Sequence, residues 1–186
     1  METTHTTTTT NYNPDSHMTG MFSDRTSAER AYNSLTSRGY TADDINVVMS
    51  DEARDRHFVN DNTVVEETEL GNKAMENAGT GSAIGGTLGA IVGAVAALGT
   101  NLLLPGLGLV VAGPLAGALA GAGAGGLTGG LIGGLVGAGI PEERAKVYEN
   151  GLKEGNIVVG VKPRNAEDAD YFENEWRAAN GREIYR

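Results

Sequence analysis

The sequence predicts an α+β fold in which a small domain of strands and helices is interrupted by a long, glycine-rich helical hairpin. Two observations lead to this prediction. A strand–helix–strand pattern precedes the glycine-rich stretch, and a helix–strand–helix pattern follows it. No charged side chain occurs in residues 77–141, although the chain of 186 residues has a formal charge of −10. Neither charged flank is long enough to bury a large core of its own, so we expect the two to form one domain.

This pattern divides the chain into parts of different composition. They are a Thr-rich tail over residues 1–16, the first half of the domain over 17–60, an acidic linker over 61–77, the helical hairpin over 78–140, and the second half of the domain with a C-terminal helix over 141–186. The tail is nearly free of large apolar side chains. Such a segment cannot offset its ordering entropy, and we expect it to be disordered.

The first half of the domain is predicted to contain two strands joined by a helix. Residues 18–22 are expected to be a short strand and the β-branched run 45–49 a second one. Thr26 and Glu29 have the spacing of a capping box, which predicts a helix start between the strands. Gly39 is placed to end that helix in a left-handed conformation. A right-handed crossover is the simplest arrangement of the three elements.

The polar side chains of this half are predicted to be structural rather than ligands for a metal. Asp43 and Asp44 lie in a predicted turn, where Asp commonly accepts hydrogen bonds from nearby backbone N–H groups. A short helix is expected over residues 51–58, with Ser50 as its cap. His57 in that helix has no second ligand at the i+4 position, so we expect it at the surface.

Glycines recur every four residues in two stretches of the uncharged segment. They are Gly81, Gly85, Gly89 and Gly93 in the first, and Gly113, Gly117, Gly121, Gly125, Gly129, Gly133 and Gly137 in the second. We interpret them as a glycine zipper between helical arms over about 78–98 and 114–138. Each Gly costs roughly 1 kcal/mol relative to Ala in a helix interior, so close helix contact must compensate. The two stripes are therefore the predicted helix-pairing and oligomer interface.

The segment between the two arms is the most apolar part of the insert. The predicted hairpin tip consists of Leu102, Leu103, Leu104, Pro105, Gly106 and Leu107, and the apolar run continues to residue 111. The other face of the second arm carries Leu115, Leu119, Leu127, Leu131 and Leu135. We expect lipid or other copies of the chain to cover both surfaces, since each arm would measure ~30 Å, enough to cross a hydrocarbon core. An aggregation-prone β-segment stays open as an alternative.

The second half of the domain is predicted to contain two helices around a strand. Pro141 fits the first turn of a helix, where Glu142 and Glu143 are favourable at the N-terminal dipole. Residues 156–161 are the predicted third strand, and Asn165 is expected to cap the last helix. Gly181 is expected to end the last helix. The expected buried faces are Ala145, Tyr148 and Leu152 in the first helix, and Ala169, Phe172, Trp176 and Ala179 in the last.

Composition argues against several classes of function. The chain has no cysteine, which excludes disulfides, thiolate metal sites and a cysteine nucleophile. Its acidity argues against binding to nucleic acid, since phosphate contacts need clustered Lys and Arg. We find no nucleophile–base pair, metal spacing or nucleotide fingerprint. The sequence therefore predicts no enzyme activity, no cofactor and no small-molecule substrate. The N-terminus does not resemble a secretory signal, so a cytoplasmic location is expected.

Several segments resemble the bacterial general stress protein domain, the YflT-like family that includes low-temperature-induced proteins of cyanobacteria. The similarity lies in residues 24–31, 39–40 and 45–49, and in residues 104–108, 113–116, 139–149 and 155–159. The run Gly-Ile-Pro-Glu-Glu at residues 139–143 is its most specific part.

The resemblance implies a stress-associated bacterial protein with a small ferredoxin-like (split βαβ) domain that a glycine-zipper hairpin interrupts. It brings no catalytic residues. Two functions are compatible with it. In the first, the chain associates with itself and with lipid of the inner membrane through the hairpin. In the second, it is a soluble structural protein that assembles into oligomers or filaments whose hairpins bury one another.

Overall fold

The computed structural model describes residues 16–59, 102–104, 108–117, 130–137 and 139–186. In chain order its elements are β1 (Met18–Phe22), α1 (Arg25–Ser37), β2 (Ile45–Ser50), α2 (Asp51–Arg54), β3 (Leu102–Leu104), β4 (Leu109–Ala112), α3 (Gly130–Gly137), α4 (Glu142–Lys153), β5 (Ile157–Val161), α5 (Ala166–Ala178) and β6 (Arg182–Tyr185). A π-helical turn, Asp55–Val59, follows α2, and residues 114–117 are also helical. The predicted α+β class is confirmed. The predicted tail and linker lie outside the described residues.

The strands form one six-stranded sheet in the order β3-β4-β2-β5-β1-β6, with every neighbouring pair antiparallel. Because β5 lies between β1 and β2 and is antiparallel to both, β1 and β2 run parallel, and α1 connects them. By the same reasoning β5 and β6, which lie on either side of β1, run parallel, and α5 connects them. The three strands predicted from the sequence are confirmed, while β3, β4 and β6 were not predicted.

Helices cover the sheet on both faces. The first face packs against α1 and α5, in a core that includes Phe22, Leu35, Val47, Phe172 and Trp176. The second face packs against α3 and α4, in a core that includes Val48, Val111, Leu135, Tyr148 and Leu152. Alternation along each strand divides the side chains between the two cores, since successive residues point to opposite faces. The predicted buried faces of α4 and α5 are confirmed.

The apolar residues 102–111, predicted to join two helical arms with a tip at 102–107, form strands where the structure describes them. These residues include strands β3 and β4, and the pairing of Leu104 with Leu109 confirms only that the chain reverses between them. Strand β4 pairs with β2, and its residues are at most 5% exposed. A continuous apolar run suits a strand that is covered on both faces, because both sets of alternating side chains are then buried. The domain itself therefore covers Leu109, Val110 and Val111 of this run.

The caps of three helices test the local predictions. At α1 the cap is Asp24, whose Oδ1 accepts from the Ser27 N–H at 2.9 Å, so the predicted capping box at Thr26 and Glu29 is wrong. Gly39 does follow α1 with a φ of 76°. The predicted caps Ser50 and Asn165 are confirmed, since each accepts a hydrogen bond from the backbone N–H three residues later, at 3.0 and 2.8 Å.

Two further helix boundaries differ from the prediction. Pro141 precedes α4 as its cap residue instead of lying in its first turn. After α5, Asn180 takes the left-handed conformation, with a φ of 60°, in place of Gly181. No side chain fits at Gly181, because a Cβ there would lie 2.7 Å from the Trp176 carbonyl oxygen and 2.9 Å from the Phe22 ring.

A polar cluster joins the end of α1 to the start of α5. The Tyr40 hydroxyl donates to Asp168 Oδ2 at 2.8 Å and accepts from the Arg164 N–H at 2.7 Å. The guanidinium of Arg38 also binds Asp168, at 3.2 Å. Burial, together with the hydrogen bond to Asp168, raises the pKa of Tyr40 to about 12. The predicted turn role of Asp44 is confirmed, since its Oδ2 accepts from the Thr41 N–H at 2.8 Å.

Candidate self-association surface

The second glycine-rich stretch begins with a backbone contact that only glycine permits. Gly113 follows β4 with a φ of +90°, and a Cβ on it would overlap the carbonyl oxygen of Ile45 in β2. The prediction that Gly113 belongs to a helix-pairing stripe is therefore wrong. Its conformation turns the chain from β4 into the helical residues 114–117, and its missing side chain lets the backbones of β2 and β4 approach closely.

Asn46 holds the start of that helix on the second face of the sheet. Its side chain is 2% exposed, and its Oδ1 accepts from the Leu115 N–H at 2.7 Å. The first N–H groups of a helix have no partner within the helix, so a side-chain oxygen at this point stabilises the helix start. Sequence reasoning missed Asn46, although a polar residue inside the apolar run of β2 was a detectable signal.

The leucine side of the stretch points inward. Leu115, Leu131 and Leu135 are 6%, 3% and 1% exposed, in the same core as Val111 and Leu152. The expectation that lipid or other copies must cover these three side chains is therefore wrong, because the sheet and α4 cover them. Leu119 and Leu127 lie outside the described residues.

Two glycines of α3 lie on its outer side, whereas Gly134 is buried. Gly133 and Gly137 are exposed, and no atom of the described structure lies within 4 Å of the position that a Cβ would take on either. Between them, Val136 is 42% exposed and is the exposed large hydrophobic side chain of the described structure. We call Gly133, Val136 and Gly137 the outer glycine surface. Gly117 is exposed in the same way, at the other end of the stretch.

Helix α4 supports α3 from the inside and is itself attached firmly to the sheet. The Tyr148 hydroxyl lies 2.6 Å from the Thr19 hydroxyl and donates to the Glu183 carbonyl oxygen at 3.0 Å. Burial raises the pKa of Tyr148. Gly151 brings α4 close to β1, since a Cβ on it would overlap the sulfur of Met21. Helix α3, which carries the outer glycine surface, therefore packs on a helix that is attached to β1 and β6.

The remaining predicted site residues are not part of the described structure. These are Gly81, Gly85, Gly89, Gly93, Gly121, Gly125 and Gly129 of the two stripes, and Pro105, Gly106 and Leu107 of the predicted tip. The other tip residues, Leu102, Leu103 and Leu104, form β3. The pairing of one stripe with the other stays a prediction.

The chemistry of the described part is that of packing and hydrogen bonding. It holds no group of three His, Asp or Glu side chains arranged to bind a metal ion. None of its helices is both long enough and apolar enough to cross a membrane. No family model, curated protein or solved structure matches the chain.

Proposed function

We propose that this chain is a non-enzymatic protein of the bacterial stress response that associates with itself through its glycine-rich stretch. The observation that carries the proposal is the orientation of α3, whose leucines are buried while the outer glycine surface is exposed. Surfaces of small residues let helix backbones approach closely, which gains dispersion and weak Cα–H···O contacts along the helix. The second face of the sheet would then hold α3 in place with this surface exposed to a partner.

The partner surface that we propose is the first glycine stripe, Gly81 to Gly93, of the same or another copy. Glycine offers little apolar area to lipid, so an outward glycine face suits another helix better than acyl chains. The buried leucines support the same choice. Leu115, Leu131 and Leu135 are side chains that lipid would otherwise cover, and the domain already covers them. Of the two functions compatible with the sequence, assembly into oligomers or filaments is therefore the one that we favour.

We further propose that the domain is a ferredoxin-like split βαβ unit with the glycine-zipper hairpin inserted after β2. The support is the strand order β2-β5-β1-β6, together with α1 and α5 on one face. Helix α3 of the insert, together with α4, would then cover the second face of that unit. In this arrangement the second arm of the hairpin would begin only after Gly113, because the residues directly before Gly113 form β4.

Association with membrane is the second candidate function. It is favoured by the absence of charged side chains from residues 77–141 and by the exposure of Val136. In this case the protein would be cytoplasmic and would attach to the inner membrane through the hairpin residues that precede α3.

Sizing of the full chain without detergent tests self-association. We expect the wild type to elute as an assembly, and the double variant Gly133→Leu with Gly137→Leu to elute as a smaller species, since two leucines keep helices apart. The matched control is Asn174→Leu, which adds a leucine at an exposed position of α5 on the opposite face. A monomeric wild type, or a glycine variant that assembles as the wild type does, would overturn the proposal.

Co-sedimentation with anionic lipid vesicles tests membrane association separately from self-association. If the glycine-rich stretch binds membrane, the wild type pellets with vesicles and needs detergent for release. Assemblies that stay entirely in the supernatant at every lipid concentration would remove membrane association and leave self-association intact.

A further inference from the structure

The turn between α5 and the edge strand β6 contains Asn180 followed by Gly181. Two such Asn-Gly pairs occur in the sequence, and the other, Asn150 with Gly151, lies within α4. We propose that Asn180 is a site of spontaneous deamidation, whose isoaspartate product loosens the attachment of β6 to the sheet. The proposal does not depend on self-association.

The reaction needs only water and atoms of the chain itself. The backbone nitrogen of Gly181, after giving its proton to hydroxide, attacks the side-chain carbonyl carbon of Asn180. A bond forms between that nitrogen and Cγ, the bond from Cγ to Nδ2 breaks, and ammonia leaves with a proton taken from water. Water then opens the cyclic imide at either carbonyl, which gives aspartate or isoaspartate. Glycine favours the first step, because it has no Cβ to hinder the approach and its backbone is the least restricted.

Asn180 lies where the backbone can open locally. It follows the end of α5 with a φ of 60°, and its side chain is exposed. The Gly181 N–H donates to the Trp176 carbonyl oxygen at 2.7 Å, and the Asn180 N–H donates to the Arg177 carbonyl oxygen at 3.1 Å. The first of these bonds must break before the nitrogen can react. Both belong to the last turn of a helix, where local opening costs the least free energy.

The fold protects the other pair. The Asn150 side chain is also exposed, but its backbone and that of Gly151 lie inside α4, where each N–H is bonded to a carbonyl one turn earlier. Gly151 is buried, and a Cβ on it would overlap the sulfur of Met21 in β1. Reaction at Asn150 therefore requires α4 to separate from the sheet, whereas reaction at Asn180 requires only the end of α5 to open.

Isoaspartate at the turn would lengthen the connection to β6 by one main-chain carbon. The turn has little room for it, since a Cβ on Gly181 would lie 2.7 Å from the Trp176 carbonyl oxygen and 2.9 Å from the Phe22 ring. Strand β6 pairs only with β1 among the described strands. The added carbon should therefore shift β6 and weaken its contact with α4, in which Arg144 binds Glu183 at 2.8 Å.

Incubation of the full chain in mildly alkaline buffer, followed by digestion and mass spectrometry, tests the site. In folded protein we expect Asn180 to deamidate at least about tenfold faster than Asn150, because the two openings differ in free energy. In concentrated urea the two sites should react at similar rates, since the same dipeptide is then exposed in both. A folded chain in which Asn180 reacts no faster than Asn150 would overturn the proposal.

Two variants test the effect on β6. Asn180→Gly is the matched control, because glycine adopts the same positive φ and has no amide to lose. Asn180→Asp supplies the new charge without the added carbon. We expect incubation to lower the urea midpoint of the wild type, measured by Trp176 fluorescence, below that of fresh Asn180→Asp, and to leave Asn180→Gly unchanged. An unchanged wild type, an aged wild type equal to fresh Asn180→Asp, or an equal fall in Asn180→Gly would contradict the loosening of β6.

Discussion

Replacing Gly113 by Ala tests whether the glycines of the second stretch are equivalent. A non-glycine residue in the left-handed region costs about 1–2 kcal/mol. The added Cβ would also overlap the Ile45 carbonyl oxygen and lie 3.1 Å from the Asn46 Cα, and this backbone cannot move without disturbing the pairing of β2 with β4. Overpacking of this kind costs a further 1–3 kcal/mol, roughly. We therefore expect Gly113→Ala to lower the free energy of unfolding by about 2–5 kcal/mol.

Urea denaturation, monitored by the fluorescence of the single Trp176, measures this loss at low and constant protein concentration. The control is Gly117→Ala, four residues later, where a Cβ meets no atom of the described structure within 4 Å. That change should be neutral or should stabilise by up to about 1 kcal/mol, because Ala is the better helix former. Equal effects of the two substitutions would refute the distinction between Gly113 and the outward glycines.

Further substitutions test the packing around this surface and the polar cluster at Tyr40. Tyr148→Phe leaves the buried Thr19 hydroxyl without its partner, so we expect a loss of about 1–3 kcal/mol in the same assay. Leu135→Ala should cost about 2–5 kcal/mol, while Val136→Ala, next to it but 42% exposed, should change stability by about 0.5 kcal/mol or less. Because the pKa of Tyr40 rises from 10.0 to about 12 on folding, its contribution is complete below pH 10 and is lost as the pH rises from 10 towards 12. The free energy of unfolding should therefore fall less steeply over that range in Tyr40→Phe.

The elements that could be predicted from the sequence are those whose signals are local. The apolar side chains of α4 and α5 recur at helical spacing, and the predicted buried faces match the buried residues. The caps Ser50 and Asn165 act within three residues of the chain. Such patterns can be recognised without knowing what the element packs against, so the sequence alone was enough to predict these helix faces and caps.

The strands β4 and β6 could not be predicted, because their identity depends on distant partners. Strand β4 is apolar on both faces, and periodicity alone does not distinguish such a run from part of a buried helix. Strand β6 is short and partly charged, and its place at the sheet edge is set by pairing with Thr19 and Met21. Each pairing joins residues far apart in the chain.

The orientation of the glycine-rich stretch was predicted incorrectly for a related reason. Glycine and leucine both recur along it, so the sequence leaves open which side faces the domain. The choice depends on α4 and on Asn46, which bind the two ends of the stretch to the second face of the sheet.

Thiol labelling of single-cysteine variants tests the central claim, that Leu131 and Leu135 of α3 face the domain while Gly133 and Gly137 face outward. The chain has no cysteine of its own, so each introduced thiol reports on one position. In dilute protein we expect Gly133→Cys to react at the rate of a free thiol and Leu135→Cys to react far more slowly. If the outer glycine surface is the interface, raising the protein concentration should protect Gly133→Cys alone. Fast labelling of Leu135→Cys with slow labelling of Gly133→Cys in dilute protein would contradict the account.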